Sequence, residues 1–418
     1  MTALYARGAC PRLAEPMQTG DGLLARIVPA GRIPLDSFIA LCAAAQEHGN
    51  GVMEISARGS LQVRGLTLAS APLFASAAAA LDIDLCNGVP VIADPLADDP
   101  TALIDATALA SKLRRAVAER ALALAPKVSV VVDGGGRLHL DALTADLRLR
   151  AIKTPEGTKL HVALAGDAAS ATPLGVIAPE GAIDVATRIL ALIAARGPTA
   201  RAADLLQADG IGVIREAIGY RMTTATPLPA RPRAEPIGLH RLSNKGCAIG
   251  VALAFGHAWA GDLIAFARIA RTNGATWVRA APNRVLLFGP IDEMTGFVLA
   301  TAADGLGFVV DARDPRRRIV SCPGAPSCAS GLISARALAV ELASHLPVSG
   351  DGVAVHVSGC AKGCAHSGVA PLTIVGTGKG CGLVRNGTAR AALQRYVDSN
   401  DLVAEILRVT EARETVDA

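Results

Sequence analysis

Two kinds of hydrophobic pattern follow one another along the chain. Short stretches in which apolar residues dominate or alternate with polar ones predict β-strands, as in "GLLARIV" (22–28), "VMEIS" (52–56) and "LQVRGL" (61–66). Between and after them, "PLDSFIALCAAAQEHG" (34–49) and "SAPLFASAAAALD" (70–82) repeat apolar residues every three to four positions, which predicts amphipathic helices. A chain that mixes the two kinds of element in this way predicts an α+β fold.

The same order of elements returns later with a constant shift of 225 residues. The shift brings Gly49 onto Gly274 and aligns "KVSVVVDGGG", from Lys127, with "GVAVHVSGCA", from Gly352. We therefore predict a duplicated chain whose halves are related by a pseudo-twofold axis. The repeated strands are expected at 247–254, 277–281 and 285–290, and the repeated helices at 261–274 and 291–305.

The halves are joined by a proline-rich segment and differ at one turn. "TPLPARPRAEPIG" has four prolines in thirteen residues and predicts an extended linker, since proline fixes the backbone angle φ and removes a hydrogen-bond donor. After the aligned strands, the first half turns with "DGGG", which we interpret as a hairpin turn, and the second with "SGCAKGC". Only the second half carries thiols at this turn.

Composition narrows the class of protein. The 418 residues are 51% apolar, as in a globular protein of two or three domains, and a net charge of +4 does not indicate a nucleic-acid surface. No apolar run reaches the roughly 18 residues that span a bilayer, and the first residues lack the pattern of a secretory signal. We expect a cytoplasmic protein without a membrane partner, in which thiols stay reduced and clustered cysteines hold metal.

Four of the nine cysteines form two pairs, Cys322 with Cys328 and Cys360 with Cys364. Four thiolates are what a [4Fe-4S] cluster needs, one for each iron, and glycines and prolines around them keep the loops open. A zinc site with four cysteines is the alternative, although zinc pairs are usually closer in sequence than Cys322 and Cys328. The other cysteines are isolated; we expect Cys42 to be core packing and Cys381 a bystander, and the rest are Cys10, Cys86 and Cys247.

The C-x5-C and C-x3-C pairs and the duplicated layout resemble the sirohaem-dependent sulfite and nitrite reductases over nearly the whole chain. Within that superfamily, "RGACPRLAEPMQTGDGLLARI", "HGNGVMEISARGSLQVRG" and "SGCAKGCAHSG" are most similar to the precorrin-3B synthases of aerobic cobalamin biosynthesis. The resemblance implies a duplicated sulfite/nitrite reductase-like architecture with ferredoxin-like half-domains. The expected units are half-domains at 1–75 and 241–310, a reductase-like domain without a cluster at 76–225, a linker at 226–240 and a [4Fe-4S]-binding domain at 311–418.

The resemblance also points to residues that would bind a tetrapyrrole with acidic arms. Arg58 and Gln62 match the reductases' first macrocycle-binding motif, Arg64 follows on the same face of the strand, and Lys127 matches the first lysine of a second motif. From the residues alone, Arg58 could equally make an ordinary surface ion pair, and Lys127 is merely a lysine after a proline. In the reductases the last cysteine, here Cys364, also bridges to the sirohaem iron.

Two of the reductases' anchors are missing, and this favours a macrocycle that is substrate over a permanently bound sirohaem. Ser129 replaces the second lysine, and Cys86 and Asn87 stand where the reductases have Arg-Asn. Each lost charge-assisted hydrogen bond costs about 1.5 to 3 kcal/mol, which a ligand that must leave can tolerate. We expect sirohaem to be absent.

By resemblance, precorrin-3A is hydroxylated at a meso carbon with dioxygen, and an acetate arm closes a lactone to give precorrin-3B. NADH would supply electrons through a separate reductase, because "DGGGRL" lacks the helix start of a dinucleotide-binding turn. The family also implies a mononuclear non-haem iron; His356 and His366 are its candidate ligands, although each is more often a core histidine. Catalytic residues are not identified. A sirohaem reductase, and a non-catalytic iron–sulfur carrier or zinc scaffold, are the alternatives.

Overall fold

A computed structural model describes residues 11–86, 88–243, 246–346, 353–398 and 401–403. Cys10, Asn87 and Gly352, which the sequence singles out, lie outside these residues. The described strands form four sheets of five strands each, and helices pack on their faces, so the α+β prediction is confirmed. None of the described helices has the length and apolar character needed to cross a bilayer.

The elements of the first half follow the predicted order. Its strands are β1 Met17–Thr19, β2 Gly22–Ile27, β3 Ile33–Pro34, β4 Val52–Ile55, β5 Leu61–Leu66, β6 Val91–Ala93, β7 Val130–Asp133, β8 Ala145–Thr154, β9 Gly157–Gly166 and β10 Thr172–Ile177. Its helices are α1 Leu35–His48, α2 Ser70–Ala79, α3 Ala106–Glu119, α4 Ala182–Ala195 and α5 Ala202–Ile218.

The second half repeats this order, as the shift of the hydrophobic pattern predicts. Its strands are β11 Gly238–Arg241, β12 Cys247–Ala252, β13 His257–Trp259, β14 Trp277–Ala281, β15 Val285–Ile291, β16 Ile319–Ser321, β17 Val355–Ser358, β18 Ala370–Thr377, β19 Gly380–Gly387 and β20 Arg395–Val397. Its helices are α6 Ala260–Thr272, α7 Glu293–Gly305 and α8 Ala335–Ala343.

The two halves exchange a strand, which the pattern does not predict. The order of one sheet is β1-β2-β5-β4-β13 and that of its counterpart is β11-β12-β15-β14-β3, so each half completes the sheet of the other. Helices α1 and α6 contact each other and contribute to one core shared by the two halves. Phe288 contacts Phe38 at 6.3 Å and Phe266 at 4.8 Å between ring centroids, edge to face, and thereby joins residues of both halves.

The other two sheets have matching orders, β6-β7-β8-β9-β10 and β16-β17-β18-β19-β20. In both, the first three strands are parallel and the last two run antiparallel to their neighbours. Strands β16 and β17 therefore end at the same edge, and so do β6 and β7. Loops that leave parallel strands at one edge lie side by side, which brings the two cysteine pairs together.

The interpretation of "DGGG" as a hairpin turn is wrong. Strand β7 pairs with β8 in parallel, with Val130 opposite Leu147, so the segment after Asp133 must cross back over the sheet. The glycines serve close packing instead. A Cβ on Gly134 would lie 2.8 Å from both Asp94 Oδ2 and Ile104 O, so only glycine lets this loop rest directly on the loop after β6.

The proline-rich segment has an anchor in the first half. It is free of helix and strand up to Gly238, where β11 begins within the predicted linker at 226–240. The guanidinium of Arg231 bridges the carboxylates of Asp133 and Asp141. The segment before Gly238 is held against the first half by buried ion pairs.

Candidate cluster and macrocycle site

The four paired cysteines lie on two neighbouring loops. Cys322 follows β16 and begins the C-x5-C loop (residues 322–328), and Cys360 follows β17 and begins the C-x3-C loop (residues 360–364). The amide of Gly359 donates a hydrogen bond to Cys322 Sγ at 3.0 Å, which ties one loop to the other. Cys322 is buried, Cys328 and Cys360 are half-buried, and Cys364 is exposed.

The thiols are close enough to affect one another's ionisation. Burial raises the pKa of Cys364, and the neighbouring Cys360 and Cys328 raise it further. Burial also raises the pKa of Cys322, against the opposing effect of the Gly359 and Gly324 amides, and Cys328 and Cys360 add to the rise. These mutual effects and the hydrogen bond from the Gly359 amide to Cys322 Sγ indicate that the thiols of the two loops are neighbours, although Cys360 and Cys364 come more than 30 residues after the first pair.

The sulfur atoms of the paired cysteines are not grouped as closely as the ligands of a single zinc ion. In the part of the chain that the structure describes, no three of these cysteines have sulfur atoms within 4.8 Å of one another. Tetrahedral zinc, with Zn–S bonds of about 2.3 Å, would bring its sulfur ligands to within roughly 4 Å. A cluster with one cysteine for each iron spans a larger space, and the donor set fits such a group better.

Glycine is required at two positions of these loops. Gly324 has φ of +67°, and a Cβ there would lie 2.3 Å from the amide nitrogen of Ala335 at the start of α8. Gly363 has φ of +62° and lies between the two cysteines of the C-x3-C loop. At Gly363 a Cβ would lie 3.1 Å from Ala389 Cβ, so the left-handed backbone and the close packing both favour glycine at these positions.

The first half supports the C-x5-C loop directly. The amide of Gly20 donates to Ser327 O at 3.1 Å, and Arg64 donates to the same carbonyl. Arg64 is buried and makes two hydrogen bonds of 2.9 Å to Asp21, with Glu54 at 3.4 Å. Its guanidinium therefore faces the cluster loop and two carboxylates, a different environment from the open pocket expected for a macrocycle-binding arginine.

Arg58 precedes β5 and contacts the first reductase-like domain, whereas Gln62 lies on β5 between Arg26 and Glu54. Arg58 donates to Ser129 Oγ at 3.1 Å and to Thr144 O at 2.8 Å, and it remains accessible to solvent. Partial burial lowers the pKa of Arg58, and the positive charges of Arg201 and Arg26 lower it further. Lys127 lies in an exposed turn that precedes β7.

Arg26 and Arg201 were missed by sequence reasoning. Arg26 is opposite Gln62 in the antiparallel pairing of β2 with β5, a register that the alternation of the two strands could have suggested. Arg201 comes from the start of α5, where Asp146 accepts its hydrogen bonds at 2.9 and 2.8 Å, and no local pattern marks it. We call Arg26, Arg58, Gln62 and Arg201 the cationic cradle.

The cradle concentrates positive charge around few carboxylates. Asp146 faces Arg201 and also accepts a hydrogen bond from the Ser129 amide, and it favours the charged form of Arg58. A guanidinium whose pKa is lowered by burial and by two neighbouring cations is suited to an acidic ligand, because arginine can bind a carboxylate with two parallel hydrogen bonds.

The two departures from the reductases' motifs lie near arginines. Ser129 accepts a hydrogen bond from Arg58, so the position of the missing lysine is still served by a cation. Burial raises the pKa of the half-buried Cys86, whereas Arg114 and Arg279 lower it. Both guanidiniums are near this thiol, although Arg279 is buried and donates to Thr107 Oγ1 at 3.2 Å.

The two candidate iron ligands face each other beneath the C-x3-C loop. The rings of His356 and His366 meet edge to face, with centroids 5.6 Å apart. His356 is fully buried on β17, and neither of its ring nitrogens has a hydrogen-bond partner among the described residues. Burial lowers the pKa of His356 to about 4, with further contributions from His366 and Arg284.

A second group of possible metal ligands lies in the first half, but its carboxylates are already paired. Ligand atoms of Asp133, His139 and Asp141 lie within 4.8 Å of one another. Arg231 bridges both carboxylates, and the peptide amides of Gly135 and Leu140 donate to Asp133. The group anchors the linker beside a cavity of about 390 Å³ that none of the four paired cysteines lines.

The first half has a carboxylate, Asp94, where the second half has Cys322. Asp94 follows β6 as Cys322 follows β16, and the strand pairings of the two sheets correspond. Asp94 Oδ2 accepts a hydrogen bond of 2.6 Å from the Gly134 amide, just as Cys322 Sγ accepts one from Gly359. The duplicated scaffold thus keeps the contact but has thiols on one side only.

The remaining described cysteines are dispersed. Cys42 is fully buried on α1, which confirms its prediction as core packing. Cys247 and Cys381 are buried on β12 and β19. None of them is among the groups that affect the ionisation of Cys322 or Cys364.

Comparisons with known proteins agree with this architecture. The family described as "Nitrite/Sulfite reductase ferredoxin-like half domain" matches residues 15–81. A curated precorrin-3B synthase from Sinorhizobium sp. is 38% identical over 413 residues, which cover 97% of this chain and 89% of that protein. The structure of the NirA protein of Mycobacterium tuberculosis has a TM-score of 0.77 at 20% identity and covers 93% of this chain and 80% of that chain, a likeness of fold.

Proposed function

Because the chain belongs to the precorrin-3B synthase family, we propose that it converts precorrin-3A to precorrin-3B in aerobic cobalamin biosynthesis. It is an enzyme, an oxidoreductase of the monooxygenase type. The observation that carries this function is the similarity to a precorrin-3B synthase along nearly the whole chain. The reaction adds a hydroxyl to a meso carbon, and an acetate arm of the substrate then closes a lactone.

The electron balance of the reaction requires a supply of reducing equivalents. One oxygen atom of dioxygen enters the product, and the other leaves as water after it receives two electrons and two protons. NADH is the source of these electrons through a separate reductase. Thiols that hold iron need a reducing compartment, which is why we propose a cytoplasmic enzyme.

Cys322, Cys328, Cys360 and Cys364 hold a [4Fe-4S] cluster in this proposal. Such a cluster, when bound, passes electrons one at a time. The proximity of the thiols on the two loops supports the assignment, and so does their spacing, which exceeds that of a zinc site. The Gly359 amide would lower the negative charge on Cys322 Sγ, and Arg64 and Gly20 would hold the C-x5-C loop in position.

Arg58 and Gln62 bind the acidic arms of the macrocycle, with Arg26 and Arg201 as further cations and Lys127 at the exposed edge. The hydrogen bonds from Arg58 to Ser129 and Thr144 support a preorganised guanidinium at this position. Arg64 is better suited to the cluster loop, since Asp21, Glu54 and Ser327 take its donors. The substrate would thus lie between the cationic cradle and the exposed Cys364.

His356 and His366 are the proposed ligands of a mononuclear non-haem iron, which would activate dioxygen. The unpaired ring nitrogens of His356 and the contact of the two rings support this assignment. Anaerobic reconstitution with ferrous iron tests it. We expect His356→Ala and His366→Ala to lose one iron per chain and to keep the sulfide content of the unaltered protein. An unchanged iron count would contradict the assignment.

The function is tested with cluster-replete protein purified without oxygen. Precorrin-3A, a reductant and dioxygen should give one product whose mass includes one oxygen atom from labelled dioxygen and which contains a lactone. No product from cluster-replete protein would overturn the proposal. The visible spectrum distinguishes the reductase alternative, because sirohaem has strong bands that an iron–sulfur cluster lacks.

A further inference from the structure

A row of polar side chains crosses the first sheet from the second half of the chain to the cationic cradle. In the strand pairings, His257 on β13 is opposite Glu54 on β4, Glu54 is opposite Gln62 on β5, and Gln62 is opposite Arg26 on β2. Side chains at directly opposite positions share one face of a sheet and contact one another. Glu54 is the carboxylate at the centre of this row.

On one side Glu54 reaches the cradle through Gln62. With its amide oxygen toward Arg26, the Gln62 side chain accepts two hydrogen bonds from Arg26, at 2.9 and 3.1 Å. Its amide nitrogen then donates to Glu54 Oε2 at 3.0 Å. The Gln62 amide thus transmits the state of Arg26 to Glu54, since it can keep this orientation only while Arg26 donates to it.

On its other side Glu54 reaches the cluster loops through two guanidiniums. Arg336, on α8 of the cluster domain, donates to Glu54 Oε1, and Arg64 lies 3.4 Å from the same oxygen. Arg64 also donates to Ser327 O and is close enough to Cys328 that this thiol raises its pKa. The start of α8 contacts Gly324 of the C-x5-C loop.

Glu54 is buried, so these interactions are weakly screened by solvent. One carboxylate therefore serves two sets of partners, one in the cradle and one beside the cluster. We propose that Glu54 is a positioning residue that couples occupancy of the cationic cradle by an acidic macrocycle to the redox state of the cluster. The inference rests on the proposed function, which supplies both the macrocycle and the cluster.

The sign of the coupling follows from the charges. A macrocycle carboxylate that binds Arg26 withdraws its donors from Gln62, which weakens the Gln62 hydrogen bond to Glu54 and leaves Arg64 and Arg336 to neutralise Glu54. Reduction places a negative charge beside Cys328 and draws Arg64 toward the cluster. Macrocycle binding and cluster reduction therefore both require Arg64, at different places. The oxidised protein should thus bind the macrocycle more tightly than the reduced protein. By linkage, the bound macrocycle should lower the reduction potential by the same factor.

The experiment measures the affinity of uroporphyrin, a stable tetrapyrrole with carboxylate arms, for the cluster-loaded protein in both redox states under anaerobic conditions. We expect the dissociation constant to be at least about fivefold larger for the reduced protein. For a one-electron couple, fivefold corresponds to a decrease of about 40 mV in potential on binding. Glu54→Gln should reduce the ratio of the reduced to the oxidised dissociation constant to less than about twofold, because it removes the negative charge that Arg64 neutralises.

The matched control is Glu47→Gln, which removes an exposed carboxylate from α1 of the same half and should keep the unaltered ratio. A second variant, Gln62→Leu, interrupts the row while leaving Glu54 with Arg64 and Arg336, and should also reduce the ratio. Equal affinities of the unaltered protein in both states, or an unaltered ratio in either variant, would overturn the coupling. Absence of uroporphyrin binding in both states would instead count against the macrocycle site itself.

Discussion

The surroundings of Arg58 would favour an anionic ligand. Its guanidinium is accessible, donates to neutral oxygens of Ser129 and Thr144, and is surrounded by the charges of Arg26 and Arg201. Asp146, which favours the charged form of Arg58, is already hydrogen-bonded to Arg201. A bound carboxylate would relieve this repulsion, which gives the residue a direct role in affinity.

We expect Arg58→Gln to weaken uroporphyrin binding by about 10- to 100-fold, because a hydrogen bond between charged partners contributes about 1.5 to 3 kcal/mol. Arg58→Lys should recover part of the loss, since it keeps the charge without the fork. Fluorescence titration measures both. Arg268→Gln, at an exposed position of α6, is the control and should bind as the unaltered protein does. Loss of cluster iron in Arg58→Gln would indicate a structural role instead.

His356 makes stability depend on pH. Burial lowers its pKa to about 4, whereas a histidine in an unfolded chain titrates near 6.5. Between these values the unfolded chain binds more protons, so stability that is present above pH 6.5 is lost as the pH falls toward 4. The loss is about 3 kcal/mol for this group.

Urea denaturation of the metal-free protein at pH 7 and pH 4.5 measures this effect. We expect His356→Leu to lose less stability on acidification than the unaltered protein. His345→Leu removes an exposed histidine and should follow the unaltered protein. Equal pH dependence of the His356 variant and the unaltered protein would contradict the low pKa.

At the scale of elements, the length of a helix or strand decides whether the sequence predicts it. Helices α1, α6 and α7 and strands β5 and β15 carry enough repeats of their pattern to be predicted. Strands β3 and β13 have two and three residues, too few to display alternation, and their partners lie in the other half. The glycines after β7 misled because close packing and a tight turn require the same residue.

The loop after β7 is held by the carboxyl groups of two residues, Asp94 and Asp133, which have different partners. Burial raises the pKa of Asp94 well above its usual value, and the charge of Asp133 raises it further. Asp94 therefore tends to stay neutral, and its Oδ2 accepts from the Gly134 amide. Asp133 pairs with Arg231 of the linker.

Asp94→Asn should lower the free energy of unfolding by less than about 1 kcal/mol, because the asparagine side chain keeps an oxygen that can accept the Gly134 hydrogen bond. Asp133→Asn should lower it by about 3 kcal/mol, because Arg231 loses one of its two charged partners. The folded protein holds the Asp94 proton that the unfolded chain loses, so stability decreases as pH rises above the usual aspartate range. Asp94→Asn should therefore gain relative to the unaltered protein with rising pH. Denaturation midpoints of both variants at several pH values measure these changes. An equal loss of stability in the two variants would contradict the prediction.

At the scale of the whole molecule, the duplication is visible in the sequence, but the exchange between halves is not. A shift of 225 residues aligns elements with their copies and contains no information on which copy a strand joins. The cysteine loops could be predicted from spacing, since the two cysteines of each pair are close in sequence. The cradle could be predicted only in part, because Arg201 reaches it through the tertiary fold.

The shared core makes the halves unfold together. Phe288→Ala removes a ring that contacts Phe38 and Phe266, and should cost about 3 to 5 kcal/mol. Trp259 lies on the first sheet and Trp277 on its counterpart, so variants that keep one tryptophan report on each sheet. We expect both urea transitions to shift equally.

The control for this substitution is Phe297→Ala, which removes an exposed ring from α7 and should change stability by less than about 0.5 kcal/mol. A shift confined to the Trp277 signal would show that the sheets unfold separately, contrary to the shared core.

The exchanged strand β13 is synthesised long after the strand that it pairs with. Strand β4 ends at Ile55, and its outer neighbour β13 begins at His257, about 200 residues later in synthesis. A ribosome that adds about 5 to 20 residues per second needs roughly 10 to 40 s to produce that neighbour. Throughout this delay the nascent chain presents the open edge of β4, with Val52 and Met53, to the crowded surroundings of the ribosome. We therefore expect this edge to be open to non-native pairing until β13 has been synthesised.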